Sequence, residues 1–218
     1  YALEKYRDGV ALASSFGAED VVLIDILAKI NPAPRIFTLD TGRLPQETYD
    51  LMDKIKEKYK IKFEVYCPDT KSVEDIVSKE GFNLFYKSIE LRQLCCRVRK
   101  IEPLNRALKQ LSAWICGLRR GQSVTRAEIK KIEIDHAHNS IVKINPIIEW
   151  TEKQVWDYIK EHNVPYNALH DKGYPSIGCA PCTRAIKSGE DVRAGRWWWE
   201  NQEHKECGLH VNKGKKNG

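Results

Sequence analysis

"GVALASSFGAEDVVLIDILAKI", residues 9–30, runs from a short apolar strand through a Ser/Gly turn into a helix with apolar residues at helical spacing. "RIFTLDTGRLPQETYDLMDKIKEKY", residues 35–59, repeats the pattern. A strand over Ile36–Leu39 reaches a turn at Asp40-Thr41-Gly42, and a helix opens near Pro45. "IKFEVYCP" (61–68) reads as a third strand with a helical stretch after Ser72, "AWICGL" (113–118) as a fourth, buried strand, and "IVKINPII" (141–148) as a further extended segment. Thr151 and Gln154 occupy the capping-box positions of a helix in "TEKQVWDYIKEH" (151–162). Strands alternating with helices predict an α/β fold with a doubly wound, mostly parallel sheet that holds ligands at the C-terminal strand ends. Beyond about residue 163 the periodicity fades and Gly, Pro, Cys and Trp dominate. That stretch reads as a C-terminal site-building segment of one domain spanning residues 1–218.

The bulk properties suit a single large domain. The 218 residues are 42% hydrophobic and 30% charged, with a formal net charge of +6. A moderate positive charge suits an anionic ligand, although a solvated basic surface produces it too. No apolar run approaches membrane-spanning length, and no secretory signal opens the chain. The first residue is Tyr1 rather than Met, so further N-terminal residues are expected. Seven cysteines, an odd number in a chain large enough to fold without staples, favour intracellular metal or redox chemistry over a disulfide framework. A cytoplasmic location is expected.

Three features carry chemistry. The turns at "SSFGAED" (14–20) and "LDTG" (39–42) lie at one sheet edge. A helix start there favours an anion, with Ser14 and Ser15 as added donors, but no G-x-x-x-x-G-K-[ST] is present and the usual P-loop is excluded. Cys95-Cys96 and Cys179-x-x-Cys182 match the ligand count of zinc or of a [4Fe–4S] cluster. Adjacent cysteines are awkward for a zinc knuckle, whereas neighbours can reach different irons of a cubane. Cys67 and Cys116 lie in or at the ends of apolar strands and read as core. Cations follow these segments repeatedly: Arg97, Arg99 and Lys100, then Arg119, Arg120 and Arg126, then Arg193 and Arg196. The grouping suits a small, highly charged ligand better than a nucleic-acid backbone, which favours a longer stripe. Trp197, Trp198 and Trp199 are expected to pack the C-terminal segment onto the sheet.

The seventh cysteine stands apart. Cys207 lies among histidines and charges in "RWWWENQEHKECGLH" (196–210), just before a Lys/Gly-rich end. Residues from about 205 to 218 read as a mobile tail that carries a reactive thiol.

Taken in order, "SSFGAEDVVLIDI", "LDTGRLPQETY", "CCRVRKIEPL", "WICGLRRGQS", "GYPSIGCAPCTRA", "RAGRWWWE" and "KECGLH" resemble the assimilatory adenylyl-sulfate (APS) reductases, relatives of the PAPS reductases that use the 3′-phosphorylated nucleotide. The resemblance runs from about residue 10 to residue 210. It implies an adenine-nucleotide α-hydrolase-like fold and reduction of APS to sulfite and AMP, in sulfate assimilation and cysteine biosynthesis. By the same resemblance Ser14 and Gly17 lie in a modified pyrophosphatase loop, and Leu39 and Gly117 lie near the adenosine. Lys100, Arg126, Arg193 and Arg196 match residues that hold the phosphosulfate. Cys95, Cys96, Cys179 and Cys182 match ligands of a [4Fe–4S] cluster, Cys207 the nucleophile, and His210 the end of its motif. The cluster is expected to lend positive field and rigidity rather than electrons, since Lys100 follows Cys96 by four residues. No thioredoxin-like domain follows Cys207, so the expected reductant is a separate thioredoxin or glutaredoxin. A homo-oligomer is expected, with no nucleic-acid or membrane partner.

Two positions depart from the pattern. Gly121 stands where relatives often carry an acid, and Phe16 replaces a small hydroxyl residue. Three other readings remain: a PAPS reductase of the same chemistry, with Arg7, Arg43 or Arg119 receiving the 3′-phosphate; a zinc-stabilised nucleic-acid-binding module; and an ATP-pyrophosphatase ligase, disfavoured because the first loop lacks S-G-G-K-D-S.

Overall fold

The computed structural model describes residues 1–122, 126 and 128–200. A short helix α1 (Ala2–Tyr6) precedes strand β1 (Val10–Ala13) and helix α2 (Ala18–Ile30). Strand β2 (Ile36–Leu39), helix α3 (Gln46–Tyr59), strand β3 (Phe63–Tyr66) and helix α4 (Thr70–Glu80) follow. Helices α5 (Ile89–Cys96) and α6 (Glu102–Leu108) are joined by a π-helical turn, Arg97–Ile101, and lead to β4 (Ala113–Cys116). Strands β5 (Ile132–Asp135) and β6 (Ile141–Ile144) precede α7 (Glu152–Glu161).

The sheet order is β3-β2-β1-β4-β6-β5, parallel except for the antiparallel β5 edge. The order reverses between β1 and β4, and that reversal opens a crevice at their carboxyl ends. Side chains alternate across the sheet as the pleat requires: Val10, Leu12, Ala113 and Ile115 join a core with α2, α3 and α7, while Ala11, Trp114 and Cys116 join one with α6. Helices therefore cover both faces, as the doubly wound reading expects.

Caps set the helix ends locally. Asp69 and Ser88 each accept a backbone N–H one turn ahead, from Ser72 and Leu91, and Thr151 and Gln154 form the full capping box on α7. The extended reading of "IVKINPII" is shortened to the four residues of β6, because Asn145 turns to bond the Lys130 carbonyl and a turn follows.

Strand β5 carries no conventional signal. Ile132 and Ile134 point outward, 44% and 47% exposed, while Glu133 and Asp135 face inward to Lys143 and His138. Inward charges are a common way to blunt a sheet edge, and they invert the pattern that marks a strand. Cys67 follows β3 at the other edge and is exposed, not core, because β3 has a neighbour on one side only. Cys116 is buried as expected. The tryptophans do not pack on the sheet: Trp197 joins a third core with Leu84, Phe85 and the cysteine pairs, and Trp198 is 40% exposed. Among the described residues no helix is long and apolar enough to cross a membrane.

Candidate functional site

A cavity of about 710 Å³ opens at the reversal between β1 and β4, within the size of small-molecule sites. Its floor begins where β1 ends. The Ser14 hydroxyl accepts the Phe16 N–H at 3.1 Å, and Ser15 donates its backbone N–H and hydroxyl to Asp20 at 2.6 and 2.8 Å. Phe16 takes a left-handed φ of 59° and buries its ring edge-on against Phe63, away from the cavity. Gly17 caps α2, so the positive end of that helix meets the cavity.

The opposite lip is the end of β4. A Cβ at Gly117 would stand 2.3 Å from Asp20 Oδ1, so only glycine lets the strand and α2 approach this closely. Burial raises the Asp20 carboxyl from 3.8 to about 6, against the pull of the Ser15 donors. Glu19 beside it is paired with Arg119 at 2.7 Å.

Cations arrive from three directions. Lys100 comes from the π-helical turn, Arg126 from beyond β4, and Arg193 and Arg196 from the C-terminal segment, and all four line the cavity. Arg196 donates to the Ile177 carbonyl at 3.1 Å and lies 4.8 Å over the Trp197 ring. A Cβ at Gly178 would meet its guanidinium at 2.3 Å, which explains a glycine before Cys179. Ser14, Gly17, Leu39, Lys100, Gly117, Arg126, Arg193 and Arg196 thus converge on one space. Arg97 is exposed and Arg120 pairs with Glu149, so neither joins them, and Gly121 lies outside the lining. Cys207 and His210 lie outside the described residues.

The four paired cysteines meet behind one wall of this cavity. Cys95 and Cys96 close α5, and Cys179 and Cys182 flank a single tight turn. All four are buried and face a small void. Lys100, Arg196 and Trp197 border both the void and the large cavity. Burial pushes the Cys95 thiol up, and burial with the neighbouring Cys179 and Cys96 pushes Cys182 to about 12. Burial alone would raise Cys179 too, but Lys100, the Thr41 hydroxyl at 3.2 Å, Arg196 and Arg99 bring it below the ordinary thiol value. Two donors in the wall, Arg99 Nε and Trp197 Nε1, are buried and find no hydrogen-bond partner among the described residues. Among the described residues no three His, Cys, Asp or Glu side chains are placed to share one metal ion.

Sequence reading missed Thr41 as a contact of this wall: its carbonyl accepts from Arg99 at 2.7 Å and its hydroxyl meets Cys179. The "LDTG" turn was the available signal. It also missed Arg92 and Glu200, a buried bidentate pair at 2.8 and 2.9 Å whose partners lie 108 residues apart.

A sequence profile of the phosphoadenosine phosphosulfate reductase domain matches residues 9–185. The adenosine 5′-phosphosulfate reductase of Allochromatium vinosum is 57% identical over 203 residues, 93% of this chain and 79% of that protein. The protein of the same name from Burkholderia cepacia is 52% identical over 205 residues, 94% and 82% of the two chains. Among solved structures, a phosphoadenylyl-sulfate (PAPS) reductase from Candida auris in a phosphate complex has a TM-score of 0.71 at 30% identity, covering 85% of this chain and 86% of that one. The FMN adenylyltransferase of Candida glabrata with FAD and pyrophosphate has a TM-score of 0.58 at 14% identity, covering 97% and 70%, and shares the adenine-nucleotide α-hydrolase-like fold alone. With a profile over most of its length and relatives identical at half their aligned positions or more, the chain belongs to the phosphoadenosine phosphosulfate reductase family of oxidoreductases.

Proposed function

We propose that this chain reduces adenosine 5′-phosphosulfate to sulfite and AMP in sulfate assimilation, with Cys207 as nucleophile and a thioredoxin-type dithiol protein as reductant. The observation that carries the reading is the convergence of a helix N-terminus, four cations and a four-cysteine wall on one nucleotide-sized cavity at the sheet's reversal. The cations line a concavity rather than a stripe, which disfavours the nucleic-acid module.

The preference for APS over PAPS rests on the acidic lip. Arg119, a candidate for a 3′-phosphate, is already paired with Glu19, and Asp20 stands beside it. Arg7 does not line the cavity, and Arg43 is turned to the Phe82 carbonyl at 2.7 Å. A 3′-phosphate there would meet an arginine already neutralised by a carboxylate, with a second carboxyl group beside it.

In the reaction the Cys207 thiolate attacks the sulfuryl sulfur, forming a Cys–S–SO3⁻ adduct as the bond from sulfur to the phosphate oxygen breaks and AMP departs. Lys100, Arg126, Arg193 and Arg196 offset the charge gathering on that oxygen, and the cationic surroundings favour thiolate over thiol. A partner thiolate then attacks Cys207 Sγ and expels sulfite. The partner's second thiol resolves the mixed disulfide, leaving the partner oxidised by two electrons and Cys207 a free thiol.

Four thiols around one void, with two donors in its wall that find no partner among the described residues, suit a sulfur-rich anionic group such as a [4Fe–4S] cluster held by Cys95, Cys96, Cys179 and Cys182. A structural zinc normally takes spaced cysteine pairs, and the adjacent Cys95 and Cys96 are awkward for it. When bound, the cluster would supply rigidity to the wall that presents Lys100 and Arg196. Four thiolates outweigh the positive charge of the iron–sulfur core, so the positive field at the sulfate comes from the cations and not, as the sequence reading expected, from the cluster.

Anaerobically purified protein given a dithiol should release sulfite from APS well ahead of PAPS. Cys207→Ser should abolish release while nucleotide still binds. If mass spectrometry without reductant finds no sulfonate on residue 207, the mechanism is wrong.

A further inference from the structure

We propose that the exposed aromatic patch of Phe82, Tyr86 and Trp198 is the surface on which the reducing dithiol protein docks; this rests on the reading above that such a protein reacts at Cys207. Phe82 is 72% exposed, Tyr86 43% and Trp198 40%, an unusual loss of apolar burial for three aromatic rings in one neighbourhood. Tyr86 and Trp198 are in ring contact at 6.1 Å, and Arg43 links Phe82 to them through buried Phe85. The Phe85 ring lies 4.6 Å from Tyr86, and Arg43 spans from it to the Phe82 carbonyl.

The patch is tied to the redox end of the molecule. The Tyr86 hydroxyl donates to the Pro181 carbonyl at 2.8 Å, which places the patch on the outer side of the Cys179–Cys182 turn. Trp198 precedes Glu200 by two residues, and Glu200 is fixed by buried Arg92. Cys207 is seven residues beyond Glu200, and covalent geometry limits that span to about 25 Å. A protein delivering a thiol to Cys207 must therefore approach within that radius of Glu200, and Trp198, two residues from Glu200, opens the patch inside it.

Residues 201–218 are poor occupants of the patch. They contain Leu209 and Val211 as their only aliphatic residues and no aromatic ones. Arg43 bonds the Phe82 carbonyl, and Lys79 and Lys87 both lie against Glu80, two residues before Phe82, so three cations and one carboxylate stand beside the patch. The fitting partner is a small dithiol protein with an apolar face around its reactive cysteine and acidic residues at the rim.

The test uses the anaerobic 218-residue chain with Phe82→Ala/Trp198→Ala, and separately Phe82→Glu, placed at the most exposed of the three rings so that folding is kept. Sulfite release is driven either by thioredoxin or by dithiothreitol, and binding to immobilised thioredoxin is measured without substrate. Both variants should raise the KM for thioredoxin about tenfold and lose binding to the immobilised protein, while dithiothreitol-driven turnover stays within about twofold. Unchanged thioredoxin KM and binding overturn the proposal. So does a double variant that sediments as a smaller species than wild type, since the patch then joins copies of this chain. Should wild type release no sulfite with dithiothreitol, the proposed function fails, and the binding arm still decides the patch.

Discussion

Asp20 looks in the sequence like an ordinary acid in a helix's first turn, there to complement the dipole. In the fold it is 8% exposed, wedged between the β1 loop and Gly117, and its carboxyl is raised to about 6 by burial. The native chain therefore holds a proton on Asp20 between about pH 4 and 6 that the unfolded chain has released. The stability this contributes is fully present below the unfolded value and is lost as pH rises through 6. Asp20→Asn keeps an acceptor for Ser15 without the buried charge, so its stability relative to wild type should improve by on the order of 2 kcal/mol between pH 4 and pH 7.5. Urea denaturation of both proteins at the two pH values reads this directly, and parallel profiles would mean that Asp20 titrates normally. No sequence pattern announces the effect, because the burial depends on a missing Cβ some hundred residues away.

The elements are placed by a few buried ties of long sequence separation. Arg92 on α5 is fully buried, bonds Glu200 with both arms and lies 4.8 Å over Trp197. It thereby locks the helix that ends in Cys95-Cys96 to the segment that carries Arg193 and Arg196. Glu200→Gln should destabilise by about 3 kcal/mol, since it takes the paired carboxylate from a buried guanidinium. Arg92→Leu/Glu200→Leu should recover part of that loss. Urea midpoints for the two variants test the pair, and a Glu200→Gln protein within about 1 kcal/mol of wild type would make the tie incidental. The strand–turn–helix units were legible because period and capping are local. Helices α5 and α6 and strand β5 were not, since α5 buries an arginine and β5 turns its isoleucines outward.

At the scale of the whole molecule, two cysteine pairs far apart in the chain close one wall of the cavity. Protein prepared without oxygen should be brown, with broad visible absorption and iron and sulfide in equal amount. Cys179→Ala should lose that absorption and lower the unfolding temperature, because the remaining buried thiols lose their shared partner. A colourless protein containing zinc would overturn the cluster assignment. Even then the family stands, for it rests on sequence relatives and fold rather than on the metal.

From sequence alone came the alternating strands and helices, the Thr151 capping box, the turns at 14–17 and 39–42, and the residues that resemblance marks for the phosphosulfate and the cysteine wall. Each is set by neighbours within a turn or by a contiguous motif. Only the tertiary structure decided that eight of the expected site residues share one cavity, that Cys67 faces solvent, that Arg119 is claimed by Glu19 and that Trp198 stays exposed. Those outcomes depend on which distant surfaces meet, and packing between residues a hundred positions apart leaves no periodic trace in the chain.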